Sequence, residues 1–424
     1  MAGPSARSTR SSSIEVPGTR KNRVGPGDRL FADLQPSADE QKFWLENTSK
    51  DYYESPYYKA HVEDLQPVPA PRSTPPRVDL ADVIGTDRIA LRERGRRLVF
   101  HATGDTGASS ASRIHLEARV ADAMTAQLTA AQGADAPAFF FHLGDVVYNF
   151  GEAEYYYDQF YEPFRGYDAP IFAIPGNHDG FPQEGQASLF AFLRNFCTVL
   201  PERSPDSGGL VRSTMNQPGV YFTLTAPFVS IIGLYSNVLE GPGVISSEEG
   251  AYPLGDQQLE FLTGELAALK PKGKARERAV VLAVHHPPLA ADAKHGGALG
   301  LSNDIDKACN RAGVWPDLVL SGHAHLYQRF TRHLGKIQIP YIVAGSGGHN
   351  VNSPPPGDDL TPPDGYTMPV GPRLDYGFLT ITVDFSGRPR VLVDFNSTNP
   401  KRPKGDEIII DLQRRVVEEP LAGT

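Results

Sequence analysis

Five short apolar runs dominate the middle of this chain, and each ends in a cluster of polar residues. They lead into "ATGDTG" with Asp105, "LGDVVY" with Asp145 and Tyr148, "PGNHD" with Asn177 and His178, "AVHHPP" with His285 and His286, and "SGHAH" with His323 and His325. An apolar run of this length bounded by glycine or proline reads as a buried strand. Two helical patterns separate the first three runs. "ASRIHLEARVADAMTAQLTAA" is amphipathic with serines to cap it, and "EAEYYYDQFYEPF" has an aromatic face. Strand, helix, strand, helix, strand predicts a parallel sheet with right-handed crossovers. Open α/β sheets place their chemistry in the loops at the carboxyl ends of such strands.

Further along, "GVYFTLTAPFVSIIGLYS" reads as a two-strand hairpin, "DQQLEFLTGELAAL" as a helix, and "IPYIVAGSGG" as another strand. "LDYGFLTITVDFSGRPRVLVDFN" alternates around a Ser-Gly turn and predicts an antiparallel hairpin. Between these, "HNVNSPPPGDDLTPPDGYTMPVGP" predicts a long loop over the site. Residues 1–35 are rich in Ser, Arg, Gly and Pro and read as a disordered tail. Residues 36–96 read as an N-terminal extension, with a short helix within 36–60 and a stiff proline-rich linker at 66–77. The organised unit is expected over 97–398, with a C-terminal strand and tail over 399–424.

The chain has 424 residues and a formal net charge of -9, so no nucleic-acid footprint is visible. Two cysteines, Cys197 and Cys309, cannot build a disulfide framework and read as reduced core residues. No run approaches the length of a membrane span, and the N-terminus has no apolar signal core, which favours the cytoplasm.

Each polar cluster alone has an ordinary reading as a turn or a buried histidine. Five strand ends of this kind in one chain point to a shared site. Carboxylate, phenol, amide oxygen and imidazole are hard or borderline donors, suited to two cations such as Fe, Zn or Mn rather than to a thiolate site. A carboxylate can bridge two such cations, which clamp a phosphoryl group and lower the pKa of a bound water.

The order GD-x-G, GD-x-x-Y, GNH-[DE], a His after an apolar strand, and GH-x-H resembles the calcineurin-like metallophosphoesterases, and Tyr148 resembles the purple acid phosphatase branch. The resemblance spans roughly residues 97 to 350. It implies a two-sheet β-sandwich flanked by helices, an α/β fold with the metal site at the carboxyl ends of strands. It implies that Asp145 bridges two metals. Asp105, Tyr148 and His325 would complete a first site for ferric iron, where a phenolate gives a purple charge-transfer band. Asn177, His285 and His323 would complete a second, for Zn, Mn or ferrous iron. His178 would lie over the substrate, as acid to the leaving group or as a phosphate contact. Asp179 would either orient His178 or cap a turn.

Gly107 stands where most of that superfamily has a histidine, and Tyr148 is its natural replacement. His295, in "ADAKHGG", and His286 join His178 as candidate substrate contacts, with His286 also suited to lie behind the ligands. His349 is a candidate for the mouth of the site, and His101 for an inward strand position away from it. Arg212, Arg329 and Lys294 could meet phosphate, although surface charge is the plainer reading. Asn237 ends another strand and reads as a turn or a contact.

The expected function is hydrolysis of phosphomonoesters by in-line attack of a metal-bridging hydroxide. Three alternatives stay open: a phosphodiesterase on the same site, a non-catalytic binding protein, and an interaction module in residues 1–96. Oligomeric state is not legible.

Overall fold

The structure is a computed structural model that describes residues 68–108, 113–148, 151–180, 187–236, 243–247, 250, 254–271, 273, 275–292, 295–352, 360–402 and 405–419. Among them the strands are, in chain order, β1 (Arg77–Asp79), β2 (Arg97–Thr103), β3 (Phe140–His142), β4 (Ile171–Ala173), β5 (Phe222–Ala226), β6 (Val229–Leu234), β7 (Ala279–Val284), β8 (Leu318–Ser321), β9 (Tyr327–Leu334), β10 (Ile337–Ala344), β11 (Tyr366–Arg373), β12 (Gly377–Asp384), β13 (Arg390–Ser397), β14 (Glu407–Asp411) and β15 (Val416–Glu418). The helices are α1 (Leu80–Ile84), α2 (Thr86–Gly95), α3 (Ile114–Ala130), α4 (Asn177–Gly180), α5 (Phe190–Phe196), α6 (Gln257–Ala268) and α7 (Leu299–Ala312).

Two sheets result. One runs β15-β14-β13-β12-β2-β3-β4, the other β1-β5-β6-β7-β8-β10-β9-β11. As the strand-helix alternation predicts, β2, β3 and β4 pair in parallel. So do β6, β7 and β8. The sheets face each other across an apolar core to which Phe100, Phe141, Phe172, Ile231, Val281 and Leu320 contribute. Each such side chain contributes roughly 1.5–3 kcal/mol by leaving water. Helix α3 and an aromatic cluster cover the outer face of the first sheet. Helices α6 and α7 cover the second. The result is the helix-flanked sandwich expected from the sequence, and no described helix is long and apolar enough to cross a membrane.

Several elements differ from expectation. The proline-rich stretch is folded against the core rather than free. Arg72 donates to the carbonyls of Asn216 and Gln217 at 2.9 Å each. β1 pairs with β5, and Arg77 grips Glu265 of α6 at 2.8 Å. The stretch 77–95 therefore belongs to the sheet and its edge. "EAEYYYDQFYEPF" forms a 3-10 turn followed by a π turn at Tyr157–Tyr161 rather than an α-helix. Part of the expected loop at 349–372 is β11, an edge strand on β9 with register shifts. Helix α3 starts after Arg113, without a side-chain cap bond. Its expected serine caps, the helix within 36–60, Asn237 and Lys294 lie outside the described residues. Cys197 and Cys309 are unbridged, and burial pushes both thiols up to about 12.

Candidate metal centre

The five strand ends converge. Turns after β2, β3 and β4 bring Asp105, Asp145, Tyr148 and Asn177 from one sheet. Turns after β7 and β8 bring His285, His323 and His325 from the other. All seven are buried. Three hold left-handed backbone, with φ of 56° at Asp105, 55° at Asp145 and 66° at His323. Such non-glycine conformations cost on the order of 1–3 kcal/mol each and persist where packing over-determines them. The packing is tight: a Cβ on Gly176 would lie 2.0 Å from Asp145 Oδ1. His323 and His325 sit beyond the end of β8, so they meet through the turn rather than by sharing a strand face.

Two donor groups form around Asp145. Asp145, His285 and His323 each place a ligand atom within 4.8 Å of the others, and so do Asp105, Asp145 and His325. Asn177 Oδ1 lies 3.0 Å from both His285 Nε2 and His323 Nδ1. The Tyr148 hydroxyl donates to Asp145 Oδ2 at 2.9 Å and lies 3.2 Å from Asp105 Oδ1 and from His325 Nε2. His285 Nδ1–H donates to the Leu143 carbonyl at 2.8 Å. His325 Nδ1–H donates to Asn350 Oδ1. Both bonds turn Nε2 to the cluster, where it becomes a ligand atom on exchanging its proton for a bound cation.

Electrostatics point the same way. Burial works against the Asp145 charge, but His285 and His178 beside it, with bonds from His285 and Tyr148, hold its carboxyl well below the ordinary range. Burial would lower His285, yet Asp145 pushes it up to about 9. Burial and then the two carboxylates hold the Tyr148 phenol far up. Among the described residues, the ion-pair partners of Asp105 and Asp145 are histidines, with no Lys or Arg. Buried carboxylates without a fixed positive partner gain from a cation. The donors are oxygen and imidazole nitrogen, so the residues fit hard or borderline metals.

The remaining candidates separate. His178, the second residue of α4, is half-buried and packs its ring 4.3 Å from that of Tyr148. Of its two expected readings Asp179 takes the turn cap: its carboxylate accepts the backbone N–H groups of Gly176 at 2.8 Å and Val146 at 3.1 Å, clamping two ligand-bearing turns. Burial and Asp145 push it up to about 7. His286 takes the position behind the ligands rather than a substrate contact. It is fully buried behind the ligands, with Nδ1 3.0 Å from Ser236 Oγ, because consecutive residues leaving β7 point to opposite sides. His295 does reach the centre, its ring 4.4 Å from that of His323 and 5.6 Å from that of His325. His349 lies flat on Tyr148 rather than at a mouth.

His101 bonds Tyr167 and Gln127, and burial lowers it to about 4. Arg329 is neither a surface charge nor a phosphate contact, for it is fully buried against Asp406 at 2.6 Å. Arg212 donates to the carbonyls of Ala169 and Phe164 at 3.1 Å each. Sequence reasoning missed Asn350, Asn352 and Asp292. Asp292 Oδ2 lies 2.8 Å from His295 Nδ1, and the Asn352 N–H donates to the His325 carbonyl at 3.0 Å. The polar string "HNVN" after an apolar strand was the available signal.

A family model described as calcineurin-like phosphoesterase matches residues 98–327. A purple acid phosphatase isolated from yellow lupin (Lupinus luteus) seeds shares the fold, with TM-score 0.50 and 14% identity over 75% of this chain and 55% of that chain. This chain thus spans little more than half the length of the lupin protein. GAP50, the anchor in the inner membrane complex of Plasmodium, aligns with TM-score 0.47 and 13% identity over 72% of this chain and 85% of that chain. A dimetal phosphatase from Danio rerio aligns with TM-score 0.44 and 13% identity over 74% of this chain and 98% of that chain. No curated protein matches in sequence.

Proposed function

The chain belongs to the calcineurin-like phosphoesterase family, metal-dependent hydrolases of phosphoric ester bonds, and from that premise we propose that it cleaves phosphomonoesters at two cations that share Asp145. The observation that carries this reading is that one buried carboxylate belongs to both donor groups. Asp105, Tyr148 and His325 would hold the first cation with Asp145, and iron suits that set. Asn177, His285 and His323 would hold the second with Asp145, for zinc, manganese or iron. When bound, such a pair polarises the phosphoryl oxygens and makes water nucleophilic near neutral pH.

The chain's own residues supply the rest. The His178 N–H donates to Asp145 Oδ1 at 2.9 Å, which ties the shared carboxylate to the turn that carries the His178 ring. That ring meets the ester, binding a phosphoryl oxygen or giving a proton to the departing alcohol. His295 flanks the site on the histidine side. The carboxylates and imidazoles among the seven donors would be engaged by the cations, so water rather than a side chain attacks phosphorus in line with the leaving alcohol and no phosphoryl-enzyme forms.

The test is hydrolysis of p-nitrophenyl phosphate and bis(p-nitrophenyl) phosphate side by side by metal-loaded protein, with Asp145→Asn as control. Preference for the monoester is expected. Preference for the diester would overturn the substrate class, and a phosphorylated side chain trapped on quenching would overturn direct attack.

A further inference from the structure

We infer that His349 is a positioning residue for Tyr148: its imidazole, stacked on the phenol, holds the phenol oxygen among the donors of the first cation. The inference rests on the reading of Tyr148 as a ligand. The rings lie 3.5 Å apart at 13°. The backbone of Tyr148 is pinned from the other side by Gln159, which accepts its N–H at 2.9 Å and donates to its carbonyl at 2.8 Å. Those bonds fix the backbone and leave the ring free to turn about its first side-chain torsion.

What limits that turn is the His178 ring, 4.3 Å away, and His349, with Gly107 beside the phenol. A Cβ at Gly107 would lie 3.1 Å from Tyr148 Cδ2 and 2.7 Å from the Val146 carbonyl. A side chain there would crowd the Tyr148 ring and collide with the Val146 carbonyl, so the phenol lies against the space that glycine leaves. His349 lies flat against the phenol. It is anchored twice to the turn that carries Asp105: its N–H donates to the Asp105 carbonyl at 3.0 Å, and Nδ1–H donates to the Gly107 carbonyl at 2.7 Å. Its ring also lies 5.1 Å from that of His325. One residue therefore touches the main chain or ring of Asp105, Tyr148 and His325 and gives the phenol a rigid flat wall.

The test uses the full chain, stripped of metal and loaded with ferric iron, with iron content and the visible spectrum measured on the same sample. His349→Leu fills the space without a flat face, and His349→Phe keeps the face without the Nδ1 donor. The expected result is a phenolate-to-iron band in the unmodified protein. That band should move in wavelength and lose intensity per bound iron in His349→Leu, and return toward the native position in His349→Phe. An unchanged band in His349→Leu, or a Phe variant that behaves like the Leu variant, would overturn the positioning role. Bound iron with no band in the unmodified protein would instead overturn Tyr148 as a ligand. Should melting of the metal-free proteins show that His349→Leu does not fold, a displaced band in His349→Phe alone overturns the stack and a native band supports it.

Discussion

His178 and Asp179 are neighbours in the chain with different work. His178 is half-buried beside Tyr148, and its side chain is the one among the motif residues that keeps partial access to solvent. His178→Ala should lower turnover by about 10²- to 10⁴-fold, the usual range for a general acid or base. Metal content should stay at the native level, measured by elemental analysis; equal loss of metal and turnover would make His178 a ligand. Asp179→Ala removes the acceptor for buried N–H groups of Gly176 and Val146. Each buried donor left unpaired costs about 1–3 kcal/mol, so for the two together denaturant unfolding of the metal-free variant should show a loss of roughly 2–6 kcal/mol. The identity of the donors was legible because each follows an apolar run and a glycine or a strand end. Which way each faces was legible only in part. Strand alternation separates His285 from His286, but the left-handed backbone of Asp105, Asp145 and His323 is imposed by neighbouring turns and leaves no sign in local propensity. The buried pairing of Arg329 with Asp406 joins residues far apart in the chain and was equally silent.

At the scale of elements, the strands that carry the donors were legible from apolar runs, and so was the hairpin of β12 and β13. The misses share one cause: pieces whose form is set by what they pack on rather than by their own periodicity. The three residues of β1 have no strand periodicity of their own, and parallel pairing with β5 decides them. The π turn at Tyr157–Tyr161 ignores helical propensity and delivers Gln159 to the Tyr148 backbone. Wide turns of this kind recur at functional sites. A consequence concerns the N-terminal extension. Deleting residues 1–96 removes β1, α1 and α2, with Val78, Leu80 and Ile89 of the core. Three such side chains contribute roughly 1.5–3 kcal/mol each, comparable to the whole stability of a typical domain. That deletion should leave a chain that fails to fold, as read by circular dichroism. A folded, active chain starting at Arg97 would mean that β1 is dispensable.

At the scale of the molecule, the two sheets meet in an apolar core on one side and at the donor cluster on the other. Each donor group draws on both sheets. Asp145 belongs to the sheet of β3, while His285 and His323 follow β7 and β8; Asp105 and Asp145 stand opposite His325 in the same way. A cation held by either group is therefore a cross-link between sheets, and its binding free energy adds to the stability of the whole sandwich. Binding at 100 times the dissociation constant adds about 2.7 kcal/mol per site. The apolar core contributes without metal, so the metal-free chain should stay folded but melt earlier. Loading iron, zinc or manganese should raise the melting temperature in calorimetry as a single cooperative transition. The rise should shrink sharply in Asp145→Asn, because the shared carboxylate serves both cross-links. It should shrink less in His325→Ala, which removes a donor from one group alone. Equal effects of the two substitutions would mean that a single cation accounts for the stabilisation, and the two-cation reading of the shared carboxylate would fall with it.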